Sequence, residues 1–222
     1  METPKDFMPG AHYHFLTPLY EMITRPLLRN IWERSAREVV QRAPEHGKIV
    51  DIGCGPGTVL RLIRMQRQDL SLQGFDIDPR MVEMARRKSA DLNIAFEQAS
   101  ADQLPVADGS VDLAMSTMVF HHLPLEVKRR AIEEVKRILK PGSEFLLCDF
   151  SRSQQRGGMF FELTKRLRFA LLTTLEPEVK PQLEGQLFDL AEEQGATIGT
   201  LWPKGMFISM HSIRFPLILK NL

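Results

Sequence analysis

The sequence predicts a doubly wound α/β domain, and three observations carry that prediction. Between Lys48 and Asp149, short apolar or β-branched runs alternate with stretches of helical periodicity, the pattern of a parallel sheet covered on both faces by right-handed crossovers. Glycines at alternate positions, Gly53, Gly55 and Gly57, join the first run to the helix after it. Past residue 150 the alternation stops, and two helical stretches precede two strand-like runs joined by Pro203-Lys204-Gly205, which reads as an antiparallel hairpin.

The elements follow in order. Residues 1–18 mix proline, histidine and aromatics with no period, and a helix is expected from about Leu19. Leu27, Leu28, Ile31, Trp32, Ala36, Val39 and Val40 then recur at helical spacing until Pro44. Lys48–Ile52 is the first strand, Thr58–Arg67 a helix, and Leu70–Asp76 the second strand. Asp78-Pro79 opens a helix bearing Met81, Val82, Met84 and Ala85, and Ile94–Gln98 is the third strand. Val111–Met115 is the fourth. Leu123–Leu139 is a helix with Val127, Ala131, Ile132, Val135 and Ile138 inward, Lys140-Pro141-Gly142 punctuates the join, and Phe145–Asp149 is the fifth strand. Met159–Leu175 and Leu183–Gln194 read as helices, and Ala196–Trp202 and Met206–Phe215 as strands.

Composition narrows the function. With 222 residues, 43% apolar, the chain builds a full-sized core as one domain without staples. A net charge of +1 disfavours a nucleic-acid binder, which carries a surplus of Lys and Arg. The clusters Arg86-Arg87-Lys88 and Lys128-Arg129-Arg130 read as solvated helix faces. Two cysteines, Cys54 and Cys148, point to a reducing cytoplasm, and the start lacks the features of a signal peptide. The longest apolar runs, such as Phe145–Cys148 and Phe215–Leu219, fall far short of the ~20 residues of a membrane span, which leaves peripheral membrane contact open.

The glycine turn brings backbone close to a ligand, and free amides at the helix start attract an anionic group, phosphate or carboxylate. A dinucleotide fingerprint would place its third glycine where this chain has Thr58, which disfavours NAD and an oxidoreductase. Asp76 ends the second strand, at the edge where open α/β sheets bind ligands, and can accept both hydroxyls of a ribose. A helix N-cap is the other reading of Asp76, but Asp78, directly before Pro79, suits that role better.

Val50–Thr58, Gly74-Phe75-Asp76-Ile77-Asp78, Leu104-Pro105 through Asp112, and Arg137–Gly142 occur in an order that resembles the class I S-adenosylmethionine-dependent methyltransferases. The branch is that of the ubiquinone/menaquinone biosynthesis methyltransferases and many small-molecule methylases, and the resemblance covers about residues 47–150. It implies a Rossmann-like seven-stranded sheet of order 3-2-1-4-5-7-6 with the last strand antiparallel, and S-adenosyl-L-methionine as cofactor. It divides one domain into an N-terminal helical lid (1–46), a cofactor core (47–150), and substrate-covering helices with the hairpin (151–222). In the lid it makes His12, Tyr13, His14 and Tyr20 candidates to fold over the cofactor. By the same resemblance Gly53, Gly55 and Gly57 cradle the methionyl part, with Cys54 a small filler of that turn. Asp51 meets the amino group through water, Asp76 takes the ribose, and Ile77 and Met81 flank adenine. The acid that usually meets the adenine amino group is replaced by Ser100, so Ser100, the backbone at Ala101, or Asp102 from a shifted register takes that contact. Ser116 and Thr117 face the methionyl end.

His121-His122 follows the fourth strand. His121 is the candidate base, with loop packing as the alternative, and no third ligand accompanies the pair to make a metal site. The apolar, basic stretch Met159–Leu172 is an acceptor pocket, a dimer face, a membrane-facing surface or a buried core helix. Ser116-Thr117-Met118-Val119-Phe120 lacks the Pro-Pro-aromatic motif of base-methylating relatives, and arsenic-methylating relatives need more cysteines. A small organic or lipid-like acceptor is expected, quinones among the candidates, on a monomer or homodimer. The competing readings are a non-catalytic binder of S-adenosylmethionine or its demethylated product, and a dinucleotide oxidoreductase.

Overall fold

The computed structural model describes residues 17–150, 186–202 and 208–216. In chain order these form α1 (Thr17–Arg42), β1 (Lys48–Ile52), α2 (Thr58–Arg64), β2 (Ser71–Asp76), α3 (Pro79–Lys88), β3 (Ile94–Gln98) and β4 (Val111–Thr117). A 3₁₀ turn (Phe120–His122), α4 (Leu125–Ile138), β5 (Leu139–Phe150), α5 (Gln186–Glu193), β6 (Thr197–Trp202) and β7 (Ile208–Arg214) follow. The strands form one sheet of order β3-β2-β1-β4-β5-β7-β6. Its first five members pair in parallel, and β7 runs antiparallel to both β5 and β6. This is the expected Rossmann-like arrangement.

Each face of the sheet has its own core. Val50, Ile52, Phe75, Ala114, Phe145 and Leu147 pack on one side with Ala131, Ile132 and Val135 of α4 and Leu187 and Ala191 of α5. Ile49, Leu72, Leu113, Met115 and Leu146 pack on the other with Ala36 and Val39 of α1, Leu60 and Ile63 of α2, and Val82 and Ala85 of α3. Full burial of one such Leu, Ile or Phe side chain stabilises by about 1.5–3 kcal/mol. Strand alternation sends neighbouring residues to opposite cores, so Asp51 points to the α1–α3 side and Asp149 to the α4 side. Asp78 caps α3, accepting the Arg80 N–H, with Pro79 in the first turn, as its sequence position predicted.

Three local expectations change. Lys140-Pro141-Gly142 lies inside β5 rather than before it: Leu139 already pairs with Val111, and a register shift beside Leu113 absorbs the irregularity, with Gly142 at φ 83°. Lys128 is no part of a solvated face, because it occupies a buried position of α4, reaching Gln186 of α5. Arg64, expected only as a residue of the α2 stretch, is buried and donates to the carbonyls of Arg67, Gln68, Leu70 and Asn93, tying the end of α2 to the starts of β2 and β3. His12, Tyr13, His14 and the stretch 159–175 lie outside the described residues, and Tyr20 falls in α1.

Candidate active site

The carboxyl ends of β1, β2, β4 and β5 meet at one edge of the sheet, and between β1 and β4 the strand order reverses, where open α/β sheets leave a crevice. The chain leaving β1 is pinned there by its own amides: the N–H groups of Gly53 and Cys54 both donate to the Phe75 carbonyl, at 2.8 and 2.9 Å. All three glycines of the turn have positive φ, 72°, 52° and 74° in order. Their surroundings differ. A Cβ on Gly53 would stand 2.4 Å from Val119 Cγ2 and one on Gly57 2.7 Å from Phe96 Cζ, whereas one on Gly55 would meet nothing within 4 Å. Packing therefore demands the outer two glycines, and the middle one opens the turn toward whatever lies above it.

Asp76, at the end of β2, accepts the Gly55 N–H on Oδ2 at 2.8 Å and the Asp78 N–H on Oδ1 at 2.9 Å. Each oxygen keeps acceptor capacity for a further donor, so the same carboxylate can shape the turn and take two hydroxyls. Burial pushes its pKa above the ordinary carboxylate value, against the amides of Asp78 and Gly55, which pull it down. Asp51 is more extreme. It is 2% exposed, its Oδ1 has no hydrogen-bond partner, and burial, then the charge of Asp76, raises it to about 8. An orphaned buried carboxylate oxygen beside an open backbone cradle fits a ligand bearing both an N–H donor and ribose hydroxyls.

The other expected residues fall as follows. Cys54 fills the space beneath the turn, its sulfur where a Cβ on Gly74 would sit, and burial keeps the thiol neutral. Ile77 and Met81 are half-buried around the start of α3. The Ser100 hydroxyl donates to Asp102, which is paired with Arg130 at 2.8 Å, and Ala101 packs against the α4-side core. The Ser116 hydroxyl donates to the Ile52 carbonyl at 2.7 Å, tying β4 to the end of β1, while Thr117 Oγ1 is buried without a partner. Just beyond β4, Met118 adopts φ 59°, a left-handed conformation that costs a non-glycine residue energy.

His121 follows in the 3₁₀ turn. Its Nδ1 lies 2.7 Å from Asp149 Oδ1, and its backbone N–H donates to Asp149 Oδ2 at 3.2 Å. The sequence reading passed over Asp149, although a lone acid closing an apolar strand was the available signal. Among the described residues no cluster of His, Cys, Asp and Glu could hold a metal ion.

Comparison with known proteins accords with this geometry. Residues 49–142 match the methyltransferase domain family. The chain is 29% identical over 144 residues to a ubiquinone/menaquinone biosynthesis C-methyltransferase of Geotalea daltonii, covering 61% of this chain and 60% of that protein. It is 27% identical over 141 residues to a demethylmenaquinone methyltransferase of Deinococcus radiodurans, covering 61% and 57%. The chain thus spans about 60% of the length of these curated relatives. Its fold superposes on an S-adenosylmethionine-dependent methyltransferase of Aquifex aeolicus with TM-score 0.66 at 18% identity, covering 91% of this chain and 98% of that one. Over residues 49–142 the fold and glycine turn are those of a class I methyltransferase domain, the class whose cofactor is S-adenosylmethionine. Among its relatives the chain is similar to the ubiquinone/menaquinone C-methyltransferase type.

Proposed function

We propose that this chain transfers the methyl group of S-adenosylmethionine to a small organic, lipid-like acceptor, with a quinol ring as the leading class. The observation that carries the reading is the open cradle at Gly55 bordered by the partnerless oxygen of Asp51 and by Asp76. The named activities of the relatives from Geotalea and Deinococcus support the quinol. When bound, the cofactor supplies a methyl activated by its sulfonium. The chain supplies position. Asp76 holds the ribose, Asp51 the amino group, and the turn amides the methionyl end, so that the acceptor meets the methyl in a fixed line out of water. Residues 1–46 and 151–222 cover the acceptor side in this reading, and the enzyme works in the cytoplasm as a monomer or homodimer.

Calorimetric titration of the full chain with S-adenosylmethionine, S-adenosylhomocysteine and NAD is the first test, and binding of the first two alone is expected. Asp76→Ala loses about 10- to 100-fold in affinity, the worth of hydrogen bonds to a charged group. A short-chain demethylmenaquinol incubated with enzyme and S-adenosylmethionine gains one methyl by mass spectrometry. Absence of cofactor binding in the folded chain overturns the methyltransferase reading, and tight binding without methyl gain overturns the quinol.

A further inference from the structure

Three buried ionisable side chains on the α4 side of the crevice have no part in holding the cofactor: His121, Asp149 and Lys128, exposed by 3%, 2% and 2%. We propose that His121 Nε2 removes the proton of the methyl acceptor and that Asp149 is the positioning residue that holds His121 for that task. The proposal rests on the methyltransferase reading above.

The tautomer follows from geometry. An ionised carboxylate only accepts hydrogen bonds, so Nδ1, 2.7 Å from Asp149 Oδ1, carries the ring proton and Nε2 is left with its lone pair. Among the described residues nothing hydrogen-bonds to Nε2. A buried histidine can use both nitrogens. His211 of β7 does so, with Ser209 Oγ at Nε2 and Thr200 Oγ1 at Nδ1. The His121 ring is also fixed in direction, with His122 at 3.9 Å on one side and Phe150 edge-on at 4.8 Å. Its own backbone N–H is tied to the same carboxylate, so Asp149 orients ring and turn together.

Among the described residues, the groups packed around Asp149 are consistent with this assignment. Burial pushes Asp149 upward, but the charge of a protonated His121, its ring hydrogen bond and the amides of Phe150 and His121 outweigh it and hold the carboxyl below its usual range. Among the described residues the Lys128 ammonium, from α4, donates one hydrogen bond, to Gln186 Oε1 at 3.1 Å. Burial lowers its pKa and attraction to Asp149 raises it. From β7, Ser209 stands directly across from Asp149 and His211 across from Leu147, on the same sheet face. Burial drives His211 down to about 4, so it adds no charge near neutrality. The step is simple. The acceptor O–H bond breaks with its electron pair left on oxygen, the proton bonds to Nε2, and the imidazolium, stabilised by Asp149, later gives that proton to water.

The test uses the full chain with ¹⁵N-labelled histidine, followed by NMR from about pH 9 to about pH 5, the range in which a histidine base must act, with His121→Asn assigning the resonances. Expected at high pH is a protonated Nδ1 and a bare Nε2, which takes up one proton reversibly while S-adenosylhomocysteine still binds. In Asp149→Asn the Nδ1 preference is lost. A proton resident on Nε2 at high pH, or no uptake while the chain stays folded, overturns the proposal. Should Asp149→Asn not fold, the wild-type titration decides. With the demethylmenaquinol probe, His121→Asn and Asp149→Asn lose about 100-fold or more in kcat with KM within threefold. Unchanged kcat overturns the role. Affinity for S-adenosylhomocysteine, unchanged in both variants, separates this failure from failure of the methyltransferase reading.

Discussion

Asp51 sits at the end of a buried strand with one carboxylate oxygen cut off from any donor, and its ionisation is coupled to what binds beside it. Its pKa lies at about 8 in the free protein against an ordinary 3.8, so near neutrality the carboxyl holds its proton. An ammonium favours the carboxylate, so binding of a cofactor bearing one expels that proton. Affinity for S-adenosylhomocysteine therefore rises with pH up to about 8 and then levels, with a limiting slope of about tenfold per pH unit. Calorimetry in two buffers of different ionisation heat counts the proton, and Asp51→Asn abolishes its release. The stability of the free protein has the opposite trend. The folded pKa lies above the unfolded one, so this group's contribution is complete below about pH 4 and is lost as pH rises through about 8. Asp51 and Asp76 were legible as candidates because strand ends carry them next to a glycine turn. Asp149 was not, since its meaning depends on which histidine folds back onto it.

At the scale of the element, the glycine turn separates two demands that one spacing conceals. Gly53→Ala drives a Cβ into Val119, and either the turn or the segment after β4 must move. The expected loss is about 1–3 kcal/mol of stability, seen in denaturant unfolding. Gly55→Ala keeps its space but takes on left-handed strain of about 1–2 kcal/mol. Its distinguishing effect is on affinity, because the methyl stands where the ligand would lie. A drop of tenfold or more in S-adenosylhomocysteine binding, with the folded signal intact, checks this. Periodicity located every described helix and strand, yet it misplaced the start of β5, because Lys140-Pro141-Gly142 carries the punctuation of a turn while its neighbour Leu139 already pairs with Val111. It also read Lys128 by charge alone, whereas α4 turns that position inward toward α5.

For the whole molecule, a ligand that binds only the folded chain stabilises it by mass action. S-adenosylhomocysteine at a hundred times its Kd adds about 2.7 kcal/mol. For a chain of this size that raises Tm by about 5–10 °C, and NAD leaves Tm unchanged in the same thermal scan. The sheet order was legible through the resemblance of residues 47–150, while the place of β7 beside β5 depends on chain that returns from far away. The antiparallel strand β7 brings Ser209 opposite Asp149, whereas the glycine turn, Asp76 and Val119 all precede β5. Local contacts form fast and distant pairings form late. During synthesis, then, the glycine turn and Asp76 leave the ribosome well before β7, and the nascent chain carries its ligand-facing turn before β5 has its antiparallel neighbour.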